Sequence, residues 1–318
     1  MLAVAALGIV FPAPGRRAES ADGILIALAV LVFCTGTSMT FAEMGAVRTA
    51  GRRLAVVLPA TTAGLPVLAW LASHLVSGGA ARGGILSAGV APAEVASVAL
   101  TGLAGGDAVL AAGLLAASTV LTVLLAGPIL SLAGAHSAAS QLSLLVTLAL
   151  VVALPLAAGS ALRSLDPYRG REQPLARILG TVSLLVLLWQ VASQIQLRAG
   201  EASVLLALLA YLAGGAALGW LLSRGTGITA GTAAGTAAGT AAGTGAGTGA
   251  GTGPDRRTAI VLTTAMRDFA VAAGIAASAF GAAAAAPLGI YGLLVLIFGS
   301  AAAYAAQRRS RRREPARA

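Results

Sequence analysis

Apolar residues run through the chain in long blocks separated by short polar, arginine-bearing segments. Crossing about 30 Å of hydrocarbon takes around 20 helical residues. Runs of that order cover Gly23–Phe41, Leu54–Val76, Gly83–Ala104, Ala108–Ala133, Gln141–Leu162, Leu175–Leu197, Ala202–Leu222, Thr258–Gly281 and Ala285–Ala306. A shorter run, Met1–Phe11, cannot span alone. It lacks the basic n-region of a secretory signal, so it reads as a shortened first helix or one whose start lies upstream. The pattern predicts an all-α transmembrane protein of ten helices. Between the eighth and ninth spans, Gly231–Gly253 repeats glycine and threonine with period four. Both residues lower helix propensity and leave no large apolar face, which predicts a flexible linker. The expected division is a first five-helix repeat (1–134), spans six to eight (135–223), the linker (224–257), spans nine and ten (258–306) and a basic tail (307–318).

Two blocks carry polar residues at mid-depth. The fourth span contains "GVAPAEVASVALTG", with Pro92 and Glu94, and the ninth contains "TTAMRDFAVAAG", with Arg267 and Asp268. Each is the fourth of five spans in its half. An odd number of spans per half inverts one half against the other, and inverted repeats with broken helices at matching positions mark transporters. The expected architecture is therefore an inverted five-plus-five repeat in which spans four and nine are broken and cross. Arg or Asp at mid-helix costs about 2.5–3.5 kcal/mol on insertion scales. Adjacent residues on a helix point about 100° apart, so Arg267 and Asp268 do not neutralise each other face to face. Two roles are open: an internal ion pair of Arg267 with Glu94 that pins the crossing, or a polar cavity. In the second, Arg267 attracts an anionic group while Asp268 or Glu94 exchanges a proton. Pro92 suits the first turn of a half-helix and Glu94 its third position, where a carboxylate meets free backbone N–H groups. Asp107, after Gly105 and Gly106, reads as the N-cap of span five. The hydroxyls of Thr61, Ser97, Thr101, Thr263 and Thr264 either line the cavity or pack helices in lipid.

Composition agrees with the bilayer. The 318 residues are 58% hydrophobic and 10% charged, against about 25% charged in soluble domains. All 21 basic residues are arginine and the net charge is +10. With ten spans, sixteen arginines fall on one side and four on the other, with Arg267 inside a span. The excess marks the cytoplasmic side and places both termini there; the expected location is the cytoplasmic (inner) membrane, with a bacterial cell as a further expectation that the arginine count does not supply. No basic globular face or recognition motif supports nucleic-acid binding. Cys34 is the lone cysteine and His74 and His136 the only histidines, which leaves no disulfide and no metal cluster. An intramembrane aspartyl protease would need Asp107, in "GGD", to meet Asp268, and the chain is not read as an enzyme.

Three stretches give a resemblance. "LVFCTGTSMTFAEM", "GILSAGVAPAEVASVALTGLAGGDAVLAAGLLAASTVLTVLLAGPIL" and "RTAIVLTTAMRDFAVAAGIA" resemble the second, the fourth and fifth, and the ninth spans of the bile acid:sodium symporter family. The resemblance implies a panel of spans 1, 2, 6 and 7 beside a core of spans 3–5 and 8–10, with spans four and nine crossing next to bound sodium. The family's Pro-Gly-Gly becomes Pro92-Ala93-Glu94 and its Ser-Asn becomes Ser97-Val98. Its ninth-span Glu, Gln and Asn fall on Thr263, Arg267 and Asp268, its third-span Gln on Thr61, and two fifth-span hydroxyls on Ala111 and Leu115. Only Ser97 and Thr263 remain as side-chain oxygens of one sodium site, and Arg267 stands in the other. The implied function is secondary transport of a small organic anion by alternating access. Arg267 holds the anion, and Asp268 and Glu94 balance it. The coupling ion is sodium or a proton, and no other cofactor is implied. The alternative is a non-transporting or uncoupled binding or sensor protein on the same fold.

Overall fold

Long apolar runs without water to satisfy their backbone must close their hydrogen bonds within the segment, as helices do. A computed structural model describes residues 23–37, 54–132, 141–165, 173–193, 201–225 and 256–313. The short run Met1–Phe11, the Gly231–Gly253 repeat, His136 and the last five residues lie outside the described residues. The helices are α1 (Gly23–Gly36), α2 (Leu54–Ser73), α3 (Gly79–Val90), α4 (Val95–Leu103), α5 (Ala108–Leu132), α6 (Gln141–Leu148), α7 (Leu154–Leu165) and α8 (Gln173–Ser193). They continue with α9 (Glu201–Gly225), α10 (Arg256–Ala265), α11 (Phe269–Phe280) and α12 (Ala286–Arg313). Among the described residues five segments are long and apolar enough to cross a membrane: Val56–Ser73, Ala108–Leu132, Val146–Leu165, Ala202–Arg224 and Ala282–Arg308. Leu25–Gly36 and Phe269–Phe280 are shorter apolar helices.

Several boundaries differ from the sequence pattern. Arg224 and Gly225 belong to α9 and Arg256 and Arg257 to α10, so the linker begins and ends inside helices. The first residues of the basic tail continue α12 as far as Arg313. The sixth run is not a uniform helix: Ala149–Ala153 is π-helical, and Leu154 N–H bonds to the Ala149 carbonyl. Pro155 explains it, because proline has no N–H to return to the Val151 carbonyl and the turn widens around the missing bond.

Close backbone approach sets the helix pairs. α1 lies against α7 and α8, α2 against α3, α9 against α10, and α11 against α3. Gly89 near the end of α3 sits on α2: a Cβ there would lie 2.5 Å from the Ala69 Cβ and 3.1 Å from the Pro66 Cα. Gly292 and Gly299 of α12 are notches for the Phe269 ring and the Met266 side chain. Gly89→Val therefore forces α2 and α3 apart. Overpacking of this kind costs about 1–3 kcal/mol, and the expected result is a thermal midpoint in detergent several degrees below that of the unaltered protein. An unchanged midpoint would contradict this contact. The main apolar core includes Leu65, Ala88, Met266, Phe269, Tyr211 and Tyr291, so it wraps the junctions that end α3 and begin α11.

Candidate functional site

The fourth and ninth apolar runs are each interrupted, and the two interruptions meet. α3 stops at Val90, and Ala91 is extended (φ −63°, ψ 153°), the conformation that a following proline favours. α10 stops at Ala265 and α11 starts at Phe269, with Asp268 at its N-cap in an extended conformation. Between these ends Ala93 and Arg267 form an isolated antiparallel bridge. Glu94 N–H donates to the Met266 carbonyl (2.8 Å) and Asp268 N–H to the Pro92 carbonyl (2.9 Å). Each broken helix thus lends the other the bonds that its own break removed, as a backbone buried in a bilayer requires.

Three charged residues sit in this crossing, all buried: Glu94 at 6% exposure, Arg267 at 6% and Asp268 at 5%. Asp268 Oδ1 accepts from Ala270 N–H (2.9 Å) and Val271 N–H (3.0 Å), an N-cap at the positive end of α11. The Arg267 guanidinium donates to the Ala91 carbonyl just beyond the C-terminus of α3, the end that attracts cations. Glu94 occupies the N-cap position of α4, not the third helical position, because Pro92 is spent in the bridge and the helix begins at Val95. Its side chain makes no cap hydrogen bond, and Oε2 is buried without a partner. Arg267 Nε and Ser97 Oγ are likewise buried without a partner.

The ion pair of Arg267 with Glu94, one of the two roles left open, does not form. Arg267 turns instead to the open carbonyl at the end of α3. An ion pair joins Arg256 Nε to Asp107 Oδ2 at 3.3 Å. Asp107 is also the N-cap of α5, accepting from Leu110 N–H at 3.0 Å. The protease geometry is excluded too. Asp107 precedes α5, whereas Asp268 shares a cavity with Leu115, Ala116 and Thr119 of that helix. That places it about 12–18 Å farther along the axis at 1.5 Å per residue.

The hydroxyls divide. Thr61 donates to its own helix at Val57 and Leu58, Thr101 to Ser97, and Thr263 to Ala259 and Ile260. Thr264 packs against Gly219 of α9. Of these candidates Ser97 keeps a hydroxyl without a partner. Ala111 and Leu115 are buried apolar side chains. At the positions that the resemblance assigns to one sodium site, Ser97 and Thr263 supply side-chain oxygens and Ala111 and Leu115 supply none, a poor set for a hard cation that takes several oxygen ligands.

Sequence reading missed the groups that hold the broken ends. Thr122 Oγ1 donates to the Val90 carbonyl (2.9 Å), and Ser118 Oγ accepts from Ala93 N–H (3.0 Å). Tyr211 Oη donates to the Ala88 carbonyl (3.0 Å). Tyr291 Oη accepts from Arg267 N–H (3.3 Å) and donates to the Ala265 carbonyl (3.4 Å). The available signal was polar tips at mid-run: "ASTVLT" in α5, Tyr211 in α9 and, of the two tyrosines of α12, the earlier one, Tyr291. A cavity of about 30 Å³, room for one water, borders the crossing between Thr35, Thr119, Val152 and Asp268. A groove of about 790 Å³ between α2 and α5, lined by Leu58, Pro66, Trp70 and Leu121, is apolar and lies apart from all three charges.

No curated protein matches the chain. The model of the Sodium Bile acid symporter family matches residues 25–206, more than half of the chain and everything from α1 to the start of α9. The members of that family are membrane transporters, and the apolar helices require a lipid bilayer around them. With its broken spans and their crossing beside that match, the chain belongs to the sodium bile acid symporter family.

Proposed function

We propose that this protein is a secondary active transporter of a small organic anion, working by alternating access in the cytoplasmic membrane with both termini in the cytoplasm. The observation that carries the reading is the crossing of two interrupted apolar segments that buries Glu94, Arg267 and Asp268 together. Intramembrane charges mark substrate and ion pathways, and discontinuous helices that bring their N-termini and carbonyl ends to one point are how transporters build sites. In this reading the ten helices form an inverted five-plus-five repeat, and the core rocks against the panel of spans 1, 2, 6 and 7. Arg267 meets the anion, since its Nε has bonding capacity left. Glu94 and Asp268 balance the charge, Ser97 supplies the open hydroxyl, and Thr61, Thr101, Thr263 and Thr264 pack around them. The side chains present support proton coupling in place of sodium. The Asp107–Arg256 pair supports the topology, because it joins two segments that the arginine count assigns to the same side.

The test is flux into liposomes holding the purified protein. An inward proton gradient should drive uptake of candidate carboxylates and sulfonates, and sodium should neither drive it nor raise the thermal midpoint. Uptake that follows sodium and ignores a pH gradient would refute proton coupling. A second reading, a binding protein without flux, gains from one observation: Arg267 and Asp268 both engage backbone groups in the crossing. Saturable anion binding with no uptake under any gradient would establish it instead.

A further inference from the structure

A helix that ends inside a membrane leaves its last four carbonyls without intrahelical donors. At the end of α3, Ala91 N–H serves Ser87, Tyr211 serves Ala88 and Thr122 serves Val90. At the end of α10, Met266 N–H serves Leu262 and Tyr291 serves Ala265. Two tyrosines from different helices, α9 and α12, thus attend the two breaks. Their rings stand 5.7 Å apart at 50°, and both are buried, Tyr211 at 1% and Tyr291 at 0% exposure. Their roles are not equivalent. The Tyr211 hydroxyl bonds one carbonyl of α3. Tyr291 uses both capacities of its phenol, donating before the break at Ala265 and accepting at Arg267 inside it.

We infer that Tyr291 is a positioning residue for Arg267. Its hydroxyl straddles the break of span nine and fixes the backbone turn from which the guanidinium reaches Ala91. Among the described residues no other group bonds the Arg267 amide: the neighbouring amide of Asp268 is held by Pro92, but that of Arg267 points at the phenol. Gly292, next along α12, is pressed flat against the Phe269 ring, so α12 cannot slide without carrying Tyr291 off the break. Removing the hydroxyl leaves a full-sized ring in place and frees the turn. The consequence for anion binding rests on the transport reading; the consequence for the backbone does not.

Two measurements separate these. In hydrogen–deuterium exchange of the full chain in detergent, Tyr291→Phe should raise exchange of the Arg267 amide about tenfold, whereas Tyr211→Phe should leave it unchanged. Equal exchange in Tyr291→Phe and the unaltered protein overturns the inference, whether or not any anion is carried. In liposomes, using the carboxylate or sulfonate with the highest flux, Tyr291→Phe should raise KM about tenfold with maximal rate changed less than twofold. Tyr211→Phe, which removes a hydrogen bond made only to α3, should leave KM unchanged. A purely structural hydroxyl would reduce the number of working carriers, so a lower maximal rate at constant KM also overturns the positioning role. If the unaltered protein carries nothing, the transport reading fails and the exchange result alone decides.

Discussion

Replacing Asp268 by alanine should unfasten the start of α11 and cost the protein about 2–4 kcal/mol, a sum of one lost N-cap and a buried donor left unpaired. The side chain is 5% exposed, and its Oδ1 takes both Ala270 N–H and Val271 N–H. At the surface of a soluble protein water would replace it. Inside a bilayer the freed amides have no such partner, which puts the loss at the upper end of capping effects. Asp268→Asn keeps an acceptor oxygen and should recover all but about 1 kcal/mol. The ordering unaltered protein, Asn, Ala in thermal unfolding in detergent checks this, and an alanine variant as stable as the asparagine variant would contradict it. Flux then isolates the charge. If Asp268 balances the anion and its cation, the asparagine variant folds and loses transport. If the carboxylate serves only α11, the asparagine variant transports normally.

Helix content and register were readable because the bilayer imposes a single rule, a long apolar run. That rule found the described helices from α1 to α12 to within about five residues at each end, apart from the interruptions and the end of α12, which runs past the last apolar run to Arg313. It found the mid-depth charges because each is an expensive exception in its run. It could not show how those charges are spent. Pairing Arg267 with Glu94 follows from counting opposite signs, yet the backbone outcompetes the carboxylate. The Ala91 carbonyl lies at a helix end that the pattern cannot locate to the residue, and it accepts the guanidinium. The same limit hid Thr122, Ser118, Tyr211 and Tyr291, whose partners are main-chain atoms on other helices. A hydroxyl in an apolar run bonds its own helix at Thr61, Thr101 and Thr263 but another segment at Thr122. The difference lies in which helix faces it, which is a property of packing. Pro155 marks the π-helical turn at Ala149–Ala153, but Pro59, Pro66 and Pro128 lie inside helices without one, so the sequence does not say which proline widens its turn.

Arg267→Gln should be the most damaging single change to transport, and combining it with Glu94→Gln separates the two costs it carries. The crossing holds one guanidinium and two carboxylates, all at least nine-tenths buried. Removing the cation leaves two buried carboxyl groups without a countercharge, and breaking such balance typically costs about 3–5 kcal/mol. It also releases the Ala91 carbonyl at the end of α3. Glutamine reaches less far and carries no charge, so the expected result is a sharply lower thermal midpoint and uptake reduced at least a hundredfold. Adding Glu94→Gln removes one of the two uncompensated carboxylates, whose Oε2 had no partner to lose. The double variant should therefore regain most of the stability that Arg267→Gln forfeits. It should not regain uptake, because no cation is left to meet the anion. Arg267→Lys tests geometry in the same assay: a point charge without the planar fork should preserve folding but keep at most about a tenth of the flux. If the double variant recovers transport along with stability, Arg267 serves the fold alone, and the anion must be held elsewhere than at the crossing.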